Sequence, residues 1–296
     1  MFYNAPMHSD LNPAAIARHC RSAGSAAIVI EVVRETGSTN ADLLARIGAT
    51  GSAVDGGAPD VEPGPMLLVA HRQTAGRGRA GRQWLSDAGS LTFSVAWRFT
   101  RPLSGLVGLP LVVGVALAEV LRRRGADVGL KWPNDVLLDG QKLAGVLIET
   151  TAVTGRAGKA GVVGGGGDGT WAVIGIGLNL VASADIEQQA SGLARALPIA
   201  RLPATDRNQL LAEVLDALAD CLPRFDVTGF APWARRWNAL HAFAGREVWI
   251  LDGTRELHAG RASGVDDSGR LLLETSAGTV AVMAGDVSLR PVTEAH

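Results

Sequence analysis

Residues 74–99 read TAGRGRAGRQWLSDAGSLTFSVAWRF, and this stretch decides between two folds. Its glycines spell G-x-G-x-x-G, the dinucleotide-binding fingerprint, which needs a strand before it and a helix after it. Residues 66–70 predict the strand, but residues 90–99 alternate between large apolar and small or polar side chains, which is the period of a second strand. No acidic residue follows at the spacing of about 20 residues at which such sites bind the ribose. The sequence therefore predicts a strand–loop–strand unit and not a dinucleotide site.

The loop between these strands carries Arg77, Arg79 and Arg82 among its glycines. Glycines let backbone N–H groups approach a ligand closely, and guanidinium groups match phosphate or carboxylate. Three arginines on one loop repel each other unless an anion arrives, so ordering of the loop is expected to accompany binding. The loop favours an anion-binding site, and the alternative is a solvated basic turn.

Composition and charge limit the class of protein. The 296 residues are 47% hydrophobic and 19% charged, which predicts a globular chain of one large or two modest domains. The formal net charge of −1 produces no overall field for DNA or an anionic membrane, so neither is expected as a partner. Cys20 and Cys221 lie too far apart to indicate a disulfide framework or a zinc site, and the N-terminus lacks the order of a signal peptide. We therefore expect a cytoplasmic protein.

An apolar run at 102–121, PLSGLVGLPLVVGVALAEVL, is just long enough to span a bilayer. Pro110 interrupts the run, and Glu119 would be costly at membrane depth unless it were paired. A buried helix of the protein core is the better interpretation.

The rest of the chain divides into an α+β body and a β tail. Strands are predicted at 26–33, 66–70, 90–99, 128–132, 135–139, 143–150 and 171–180. Helices are predicted after a cap at Ser38 or Thr39 and at 206–225 and 229–240. Residues 48–65 and 154–169 are predicted as variable loops, and the second lacks the G-K-[S/T] ending of a phosphate-binding loop. From about residue 243, short strands and tight turns predict a small antiparallel barrel.

Four motifs occur in order: ETGSTN at 35–40, HRQTAGRGRAGRQW at 71–84, KWPNDVLLDGQKLAGVLIE at 131–149 and GIGLNL at 175–180. Together they resemble the biotin–protein ligases, and the resemblance runs from about residue 30 into the tail, including MAGDVSLR at 283–290. It implies an α+β fold, a mixed β-sheet with helices packed on one face, followed by a small SH3-like β-barrel. The expected domains are a catalytic biotin- and ATP-binding domain at 1–242 and the barrel at 243–296.

The resemblance also implies a reaction in two steps. Biotin's carboxylate attacks the α-phosphate of ATP, with Mg²⁺ present, and gives biotinyl-5′-adenylate and pyrophosphate. A lysine on the biotin carboxyl carrier domain of acetyl-CoA carboxylase, or of a similar carboxylase, then attacks the mixed anhydride and releases AMP. Because two anions must meet, the main catalytic problem is electrostatic.

Site residues are carried over from the matching motifs. Biotin contacts fall on Ser38, Thr39, Asn40, Gln73, Arg77, Gly78, Arg79 and Lys142. Nucleotide contacts fall on Arg77, Arg79, Arg82, Trp84, Asn134, Asn179 and Arg290. The catalytic roles fall on Lys142, Arg77 and Asp135, and Asp135 is also the candidate Mg²⁺ ligand. From the residues alone, Ser38–Asn40 also fit a helix cap, Trp84 a core residue and Lys142 an ordinary turn residue.

Two rival functions remain open at this point. Lipoate ligases and octanoyl transferases are believed to share the fold, although the transferase needs an active-site cysteine and neither cysteine falls near KLAG. A noncatalytic biotin-binding protein would be expected to lack Lys142 or the arginine loop.

Some relatives repress genes through an N-terminal helix-turn-helix; fewer than forty residues precede GSTN, so no repressor function is expected. An exposed sheet edge would allow a homodimer.

Overall fold

The computed structural model of the chain describes residues 10–51, 64–86, 89–152, 169–180, 206–252, 255–283 and 287–291. Most of the two predicted variable loops, including the four glycines at 164–167, lies outside the described residues.

The main sheet has seven strands. They are β1 (Val29–Thr36), β2 (Met66–Gln73), β3 (Ser90–Phe99), β4 (Val128–Lys131), β5 (Asp135–Leu138), β6 (Gln141–Ala152) and β7 (Thr170–Asn179). Their spatial order is β1-β2-β3-β7-β6-β5-β4; β1 and β2 are parallel and every other neighbouring pair is antiparallel, so the predicted mixed sheet is confirmed. Since β2 and β3 pair antiparallel through the arginine loop, no dinucleotide-type helix follows the glycines.

The helices of the body lie on both faces of this sheet. They are α1 (Pro13–His19), α2 (Ala23–Ala26), α3 (Thr39–Gly51), α4 (Leu109–Arg123), α5 (Arg207–Thr228) and α6 (Ala231–Ala239). Apolar residues such as Leu67, Val69 and Phe93 face the large core that includes α4 and α5. The strand positions between them face α3, where Leu43 packs with Leu68 in a smaller cluster. Most helices therefore lie on one face, as predicted, and α3 covers part of the other.

The apolar run before β4 forms a core helix. The stretch Leu103–Arg123 is long and apolar enough to cross a membrane, but 67% of its most apolar 18-residue segment is buried inside the protein. Glu119, the charge that would be costly in a bilayer, accepts a hydrogen bond of 2.9 Å from Nε of Arg236 on α6. The run thus packs against the main sheet and the other helices, in agreement with the sequence interpretation.

The tail forms a second sheet with the antiparallel strand order β11-β10-β9-β8-β12. Its strands are β8 (Glu247–Asp252), β9 (Arg255–Val265), β10 (Leu271–Thr275), β11 (Gly278–Val282) and β12 (Val287–Pro291). Val248 and Leu271 of this sheet belong to the same hydrophobic core as the body. Trp132 Nε1 also donates a hydrogen bond to the Gly269 carbonyl at 3.1 Å. The predicted antiparallel tail is confirmed, but within the described residues its edge strands β11 and β12 do not pair, so the predicted barrel is seen as an open sheet.

Candidate active site

Two rows of cross-strand partners run across the α3 face of the main sheet. Directly paired residues project to the same face of a sheet. One row consists of Lys131, Asp135, Gly145, Gly177, Thr92 and Ala70. The next row consists of Leu147, Gly175, Ser94 and Leu68. Gly145, Gly175 and Gly177 occupy the central positions of these rows, and we call them the glycine strip. The strip has no side chains of its own. It lies between a charged end at β4–β5 and a hydroxyl-bearing end at β3.

Neighbouring side chains lie directly on this glycine strip. A Cβ atom at Gly175 would lie 2.9 Å from Cγ of Asn40. One at Gly177 would lie 2.7 Å from Nε1 of Trp84, and one at Gly145 would lie 3.2 Å from Nζ of Lys142. Real Cβ atoms are not found within 3.0 Å of other heavy atoms, so the approach of Asn40 and Trp84 depends on glycine, whereas Lys142 would make only a tight contact with a Cβ atom at Gly145. The strip therefore brings together residues from all four motifs.

The start of α3 lies at the hydroxyl-bearing end of the strip. Ser38, Thr39 and Asn40 are all buried, and Ser38 Oγ accepts a hydrogen bond from the Ala41 backbone N–H at 3.5 Å, which is the expected helix cap. The Thr39 backbone N–H donates to Oε1 of Gln73 at 2.8 Å, and Thr39 Oγ1 lies 2.6 Å from Ser94 Oγ. Of the residues predicted to contact biotin, Thr39 and Gln73 are thus joined by hydrogen bonds, and Ser38 lies beside them as the helix cap.

A second set of hydrogen bonds connects this group to the arginine loop. Ser94 Oγ donates to Oδ1 of Asn40 at 2.6 Å, and Nδ2 of Asn40 donates to Oε2 of Glu149 at 2.9 Å. The other carboxylate oxygen of Glu149 accepts from Nη1 of Arg77 at 3.1 Å. The charge of Arg77 is therefore balanced by a carboxylate of the protein itself. The prediction that the loop arginines become ordered only when an anion binds does not hold for Arg77.

The arginine loop folds back on itself as a short hairpin. The Gly78 N–H donates to the Arg82 carbonyl at 2.7 Å, and the Trp84 N–H donates to the Gly76 carbonyl at 2.9 Å. A single 3-10 turn at Arg79–Gly81 closes the loop, with positive φ angles at Ala80 and Gly81. The turn brings the loop back over the sheet, where Trp84 reaches the glycine strip.

Two lysines share one carboxylate at the charged end of the strip. Nζ of Lys142 lies 2.6 Å from Oδ1 of Asp135, and Nζ of Lys131 lies 3.7 Å from Oδ2. Burial raises the pKa of the Asp135 carboxyl, but the charges of Lys142, Lys131 and Arg82 outweigh burial and hold that pKa below its ordinary value. Lys142 Nζ also lies 5.6 Å from the ring centroid of Trp84. A carboxylate or phosphate entering here would meet a cluster of positive groups.

The prediction that Asp135 binds Mg²⁺ does not fit this geometry. Both of its carboxylate oxygens already face an ammonium group, so a metal ion would have to displace Lys142 or Lys131. Within the described part of the chain, no group of three or more Asp, Glu, His or Cys residues is placed to hold a metal ion. We therefore assign Asp135 to the lysines and derive no step that requires a protein-bound metal.

The other predicted nucleotide contacts occupy different positions. Asn134 Nδ2 donates to the Val146 carbonyl at 2.8 Å, so its amide fixes β6 beside the site. Asn179 Nδ2 lies 3.4 Å from the Lys142 carbonyl, next to the charged end of the strip. Arg290 lies on β12 opposite Trp249, and its side chain is outside the described residues. Asn179 thus joins the Lys142 group, Asn134 has a structural contact, and Arg290 stays a prediction.

Neither cysteine belongs to this face. Cys221 lies on α5 in the core on the opposite side of the sheet, and burial raises the pKa of its thiol to about 12. Burial also raises the pKa of the Cys20 thiol, near the N-terminal helices. A thiolate is the nucleophilic form of cysteine, so neither residue is suited to form an acyl-enzyme.

Sequence reasoning missed three residues of this face: Glu149, Ser94 and Lys131. Lys131 and Glu149 are the first and last letters of a motif that was recognised, and Ser94 lies on the polar side of the alternating strand. The alternation was the available signal for Ser94. The signal for the other two lies in the strand pairing, which places Lys131 beside Asp135 and Glu149 two positions beyond Leu147.

Comparisons with known proteins give a consistent result. Residues 61–168 match the model of the biotin/lipoate A/B protein ligase family, and residues 243–290 match the biotin protein ligase C-terminal domain. The chain is 37% identical over 255 residues to the bifunctional ligase/repressor BirA of Escherichia coli, covering 86% of this chain and 71% of that protein. It is 35% identical over 273 residues to the biotin–[acetyl-CoA-carboxylase] ligase of Mycobacterium tuberculosis, covering 90% of each. A solved structure of the Aquifex aeolicus biotin protein ligase, in complex with biotin and ATP, matches with a TM-score of 0.62 and 26% identity, covering 89% of this chain and 99% of that one.

Proposed function

Because the chain belongs to the biotin protein ligase family, we propose that it activates biotin with ATP and transfers the biotinyl group to a lysine of a carboxylase carrier domain. It is a ligase that uses biotin and ATP as its substrates. The observation that carries the residue-level proposal is the glycine strip, around which Lys142, Trp84 and Asn40 converge from separate parts of the sequence.

In the first step, an oxygen of the biotin carboxylate forms a bond to the α-phosphorus of ATP as the bond to the β-phosphate oxygen breaks and pyrophosphate leaves. Both reactants are anions, so the transition state needs fixed positive charge. We propose that Lys142 keeps its contact with Asp135 and uses its remaining N–H groups to bridge the carboxylate and the α-phosphate, while Lys131 faces the second oxygen of Asp135. Arg77, Arg79 and Arg82 supply further positive charge from the loop.

We propose that the ureido ring of biotin binds at the hydroxyl-bearing end of the strip. Ser38, Thr39, Asn40 and Gln73 offer hydroxyl and amide groups there, which suit a neutral ring with both donors and an acceptor. Asn40 lies on Gly175 and Lys142 lies beside Gly145, so a biotin bound next to the side chains that cover the strip would extend from one to the other. Gly78 and Arg79 of the loop would then cover the ligand.

The adenylate is proposed to occupy the charged end. Trp84 offers a ring face for the adenine base, and its buried indole N–H has no hydrogen-bond partner among the described residues. We propose that the phosphate is contacted by Asn179, which lies next to the Lys142 carbonyl, by Arg82, whose charge acts on Asp135, and by Arg290 from the tail. Mg²⁺ is proposed only as the counter-ion that accompanies the phosphates of ATP, because hard cations prefer oxygen ligands.

In the second step, the ε-amine of a carrier lysine attacks the acyl carbon of the adenylate. The new C–N bond replaces the C–O bond to phosphate, AMP leaves, and the amine loses a proton. No enzyme nucleophile takes part, which agrees with the positions of Cys20 and Cys221. We propose that residues 1–242 form the catalytic domain and that residues 243–296 form a C-terminal domain packed against it.

The partner is a biotin carrier domain of a carboxylase. We propose further that the protein works in the cytoplasm, does not bind DNA or membranes, and is able to pair through the exposed edge at β1. Binding of a specific operator-like duplex at physiological salt, with biotin and ATP present, would overturn the expectation about DNA.

The test of the proposed function is exchange of labelled pyrophosphate into ATP, measured with biotin, with lipoate and with neither. The proposal requires exchange that depends on biotin. Exchange supported by lipoate and not by biotin would favour the lipoate ligase alternative, and biotin binding without exchange would favour a noncatalytic binding protein.

A further inference from the structure

We propose that Glu149 is a positioning residue, which holds Arg77 of the arginine loop and Asn40 of α3 in one fixed arrangement. This inference rests on the proposed function, because it assigns the control of loop position to the same site. Glu149 is not itself expected to contact either substrate. It acts through Asn40 and Arg77, which are expected to contact the substrates.

The position of Glu149 on the sheet makes this connection possible. It pairs with Val173 on the α3 face, two residues along β6 from Leu147, which pairs with Gly175. Asn40 lies on Gly175, so its amide and the Glu149 carboxylate are neighbours above the same strand pair. The arginine loop crosses this end of the strip, which brings Arg77 to the other side of the carboxylate.

The two oxygens of Glu149 have different partners. Oε2 accepts from Asn40 Nδ2 at 2.9 Å, and Oε1 accepts from Arg77 Nη1 at 3.1 Å. A carboxylate only accepts hydrogen bonds, so it requires that Asn40 presents its NH₂ group and not its oxygen. The Asn40 oxygen then faces Ser94 Oγ, which donates to it at 2.6 Å. Glu149 therefore fixes the orientation of the amide as well as the position of the guanidinium.

The contact between Glu149 and Arg77 is exposed to water, so we expect it to affect the position of the loop more than the stability of the fold. The side chain of Glu149 is 25% exposed and that of Arg77 is 52% exposed, whereas Asn40 is 4% exposed. An ion pair that is this accessible to water contributes little to the free energy of folding. Its main effect is to restrict a long, mobile arginine side chain and the loop that carries it before any ligand binds.

Glu149→Gln separates the two contacts. The Gln side chain keeps an oxygen for Asn40 but loses the charge that holds Arg77. We expect the KM for biotin in pyrophosphate exchange to rise about threefold to fivefold, no more than an ion pair this exposed can contribute, with a smaller change in kcat. Activated biotin should also escape more readily, which would appear as more biotin on unrelated proteins.

Glu31→Gln is the matched control. Glu31 on β1 pairs with Arg46 on α3 through both carboxylate oxygens, with Nη1 2.6 Å from Oε2, Nη2 3.0 Å from Oε1 and side-chain exposures of 44% and 41%. This pair also joins α3 to the sheet, but it lies away from the glycine strip. We expect its loss to leave KM, kcat and labelling of unrelated proteins unchanged.

A double-mutant cycle with Arg77→Gln tests whether Glu149 acts through Arg77. Once Arg77 is replaced, adding Glu149→Gln should change neither KM nor the escape of activated biotin any further. Independent, additive effects of the two substitutions would overturn the inference.

Limited trypsin digestion without substrates tests the same inference independently of the reaction, because trypsin cleaves after arginine. Cleavage within residues 77–82, mapped by mass, should be faster in Glu149→Gln than in the parent protein and in Glu31→Gln. Equal cleavage rates in all three would overturn the claim that Glu149 holds the loop. Absence of exchange in the parent protein would instead contradict the proposed function alone.

Discussion

Replacing Gly177 with Ala tests the glycine strip with a single methyl group. A Cβ atom at this position would lie 2.7 Å from Nε1 of Trp84, and closer still to two carbons of the ring. Ordinary contact distances are about 3.5–4.0 Å, so the indole would have to move by about 1 Å or more. The ring cannot move toward the sheet, so it is expected to lift away from the strip and from Lys142.

The size of the effect follows from two separate costs. Inserting a methyl group into a packed site costs about 1–3 kcal/mol of stability, which for a chain of this size corresponds to a fall in Tm of about 2–10 °C. A displacement of about 1 Å among catalytic groups costs about a hundredfold in rate. We therefore expect Gly177→Ala to remain folded at 25 °C but to lose about 99% of its biotin-dependent pyrophosphate exchange.

Gly48→Ala is the matched control, because a Cβ atom at Gly48 on α3 would meet no atom within 4 Å. It should retain full exchange and gain up to about 1 kcal/mol of stability from the higher helix propensity of alanine. A further variant removes the clash: Trp84→Leu should lower the stability cost of Gly177→Ala relative to its cost in the parent protein. Gly177→Ala with unchanged Tm and unchanged exchange would refute the proposed placement of Trp84 on the strip.

Three other variants test separate parts of the account. Lys142→Ala should reduce biotin-dependent exchange by about a hundredfold or more, as expected for loss of one preorganised charge, and a near-normal rate would contradict its role. Arg79→Ala should let activated biotin escape, so unchanged labelling of unrelated proteins would count against the loop as a cover. Burial lowers the pKa of His241 to about 4 in the folded protein. Below about pH 6.5 the unfolded chain binds a proton at this histidine that the folded protein does not. The free energy of unfolding therefore decreases as the pH falls from about 6.5 toward 4. His241→Phe, which keeps a ring against Trp237, should remove about 2 kcal/mol of the difference in unfolding free energy between pH 7.5 and pH 5, measured by urea titration; an undiminished difference would contradict this.

Local patterns in the sequence predicted most of the fold. The alternation at 90–99 gave β3 with its polar residues on the α3 face, and the run at 206–225 corresponds to α5 at Arg207–Thr228. These elements bury one face, so the period of their apolar residues follows directly from packing. The position of α3 on the opposite face from the other helices was not predicted, because periodicity identifies an apolar face without saying which side of a sheet covers it.

The candidate site was predicted in its residue types and only partly in its geometry. Motifs identified Lys142 and the arginine loop, but Asp135 was interpreted as a metal ligand, while the structure pairs it with two lysines. Glu149 had no local signal, since its partner Arg77 lies 72 positions away in the chain. Contacts of this kind depend on strand register and on how a loop folds over a sheet, which local patterns do not specify.

The central claim is that this chain joins biotin to a carrier lysine through an activated intermediate. Its most direct test is the intact mass of a purified carboxylase carrier domain after incubation with the protein, biotin, ATP and Mg²⁺. The account predicts one added biotin less one water, on a single lysine, and only when ATP is present. A carrier domain of unchanged mass in the complete mixture, or one modified equally well without ATP, would contradict it.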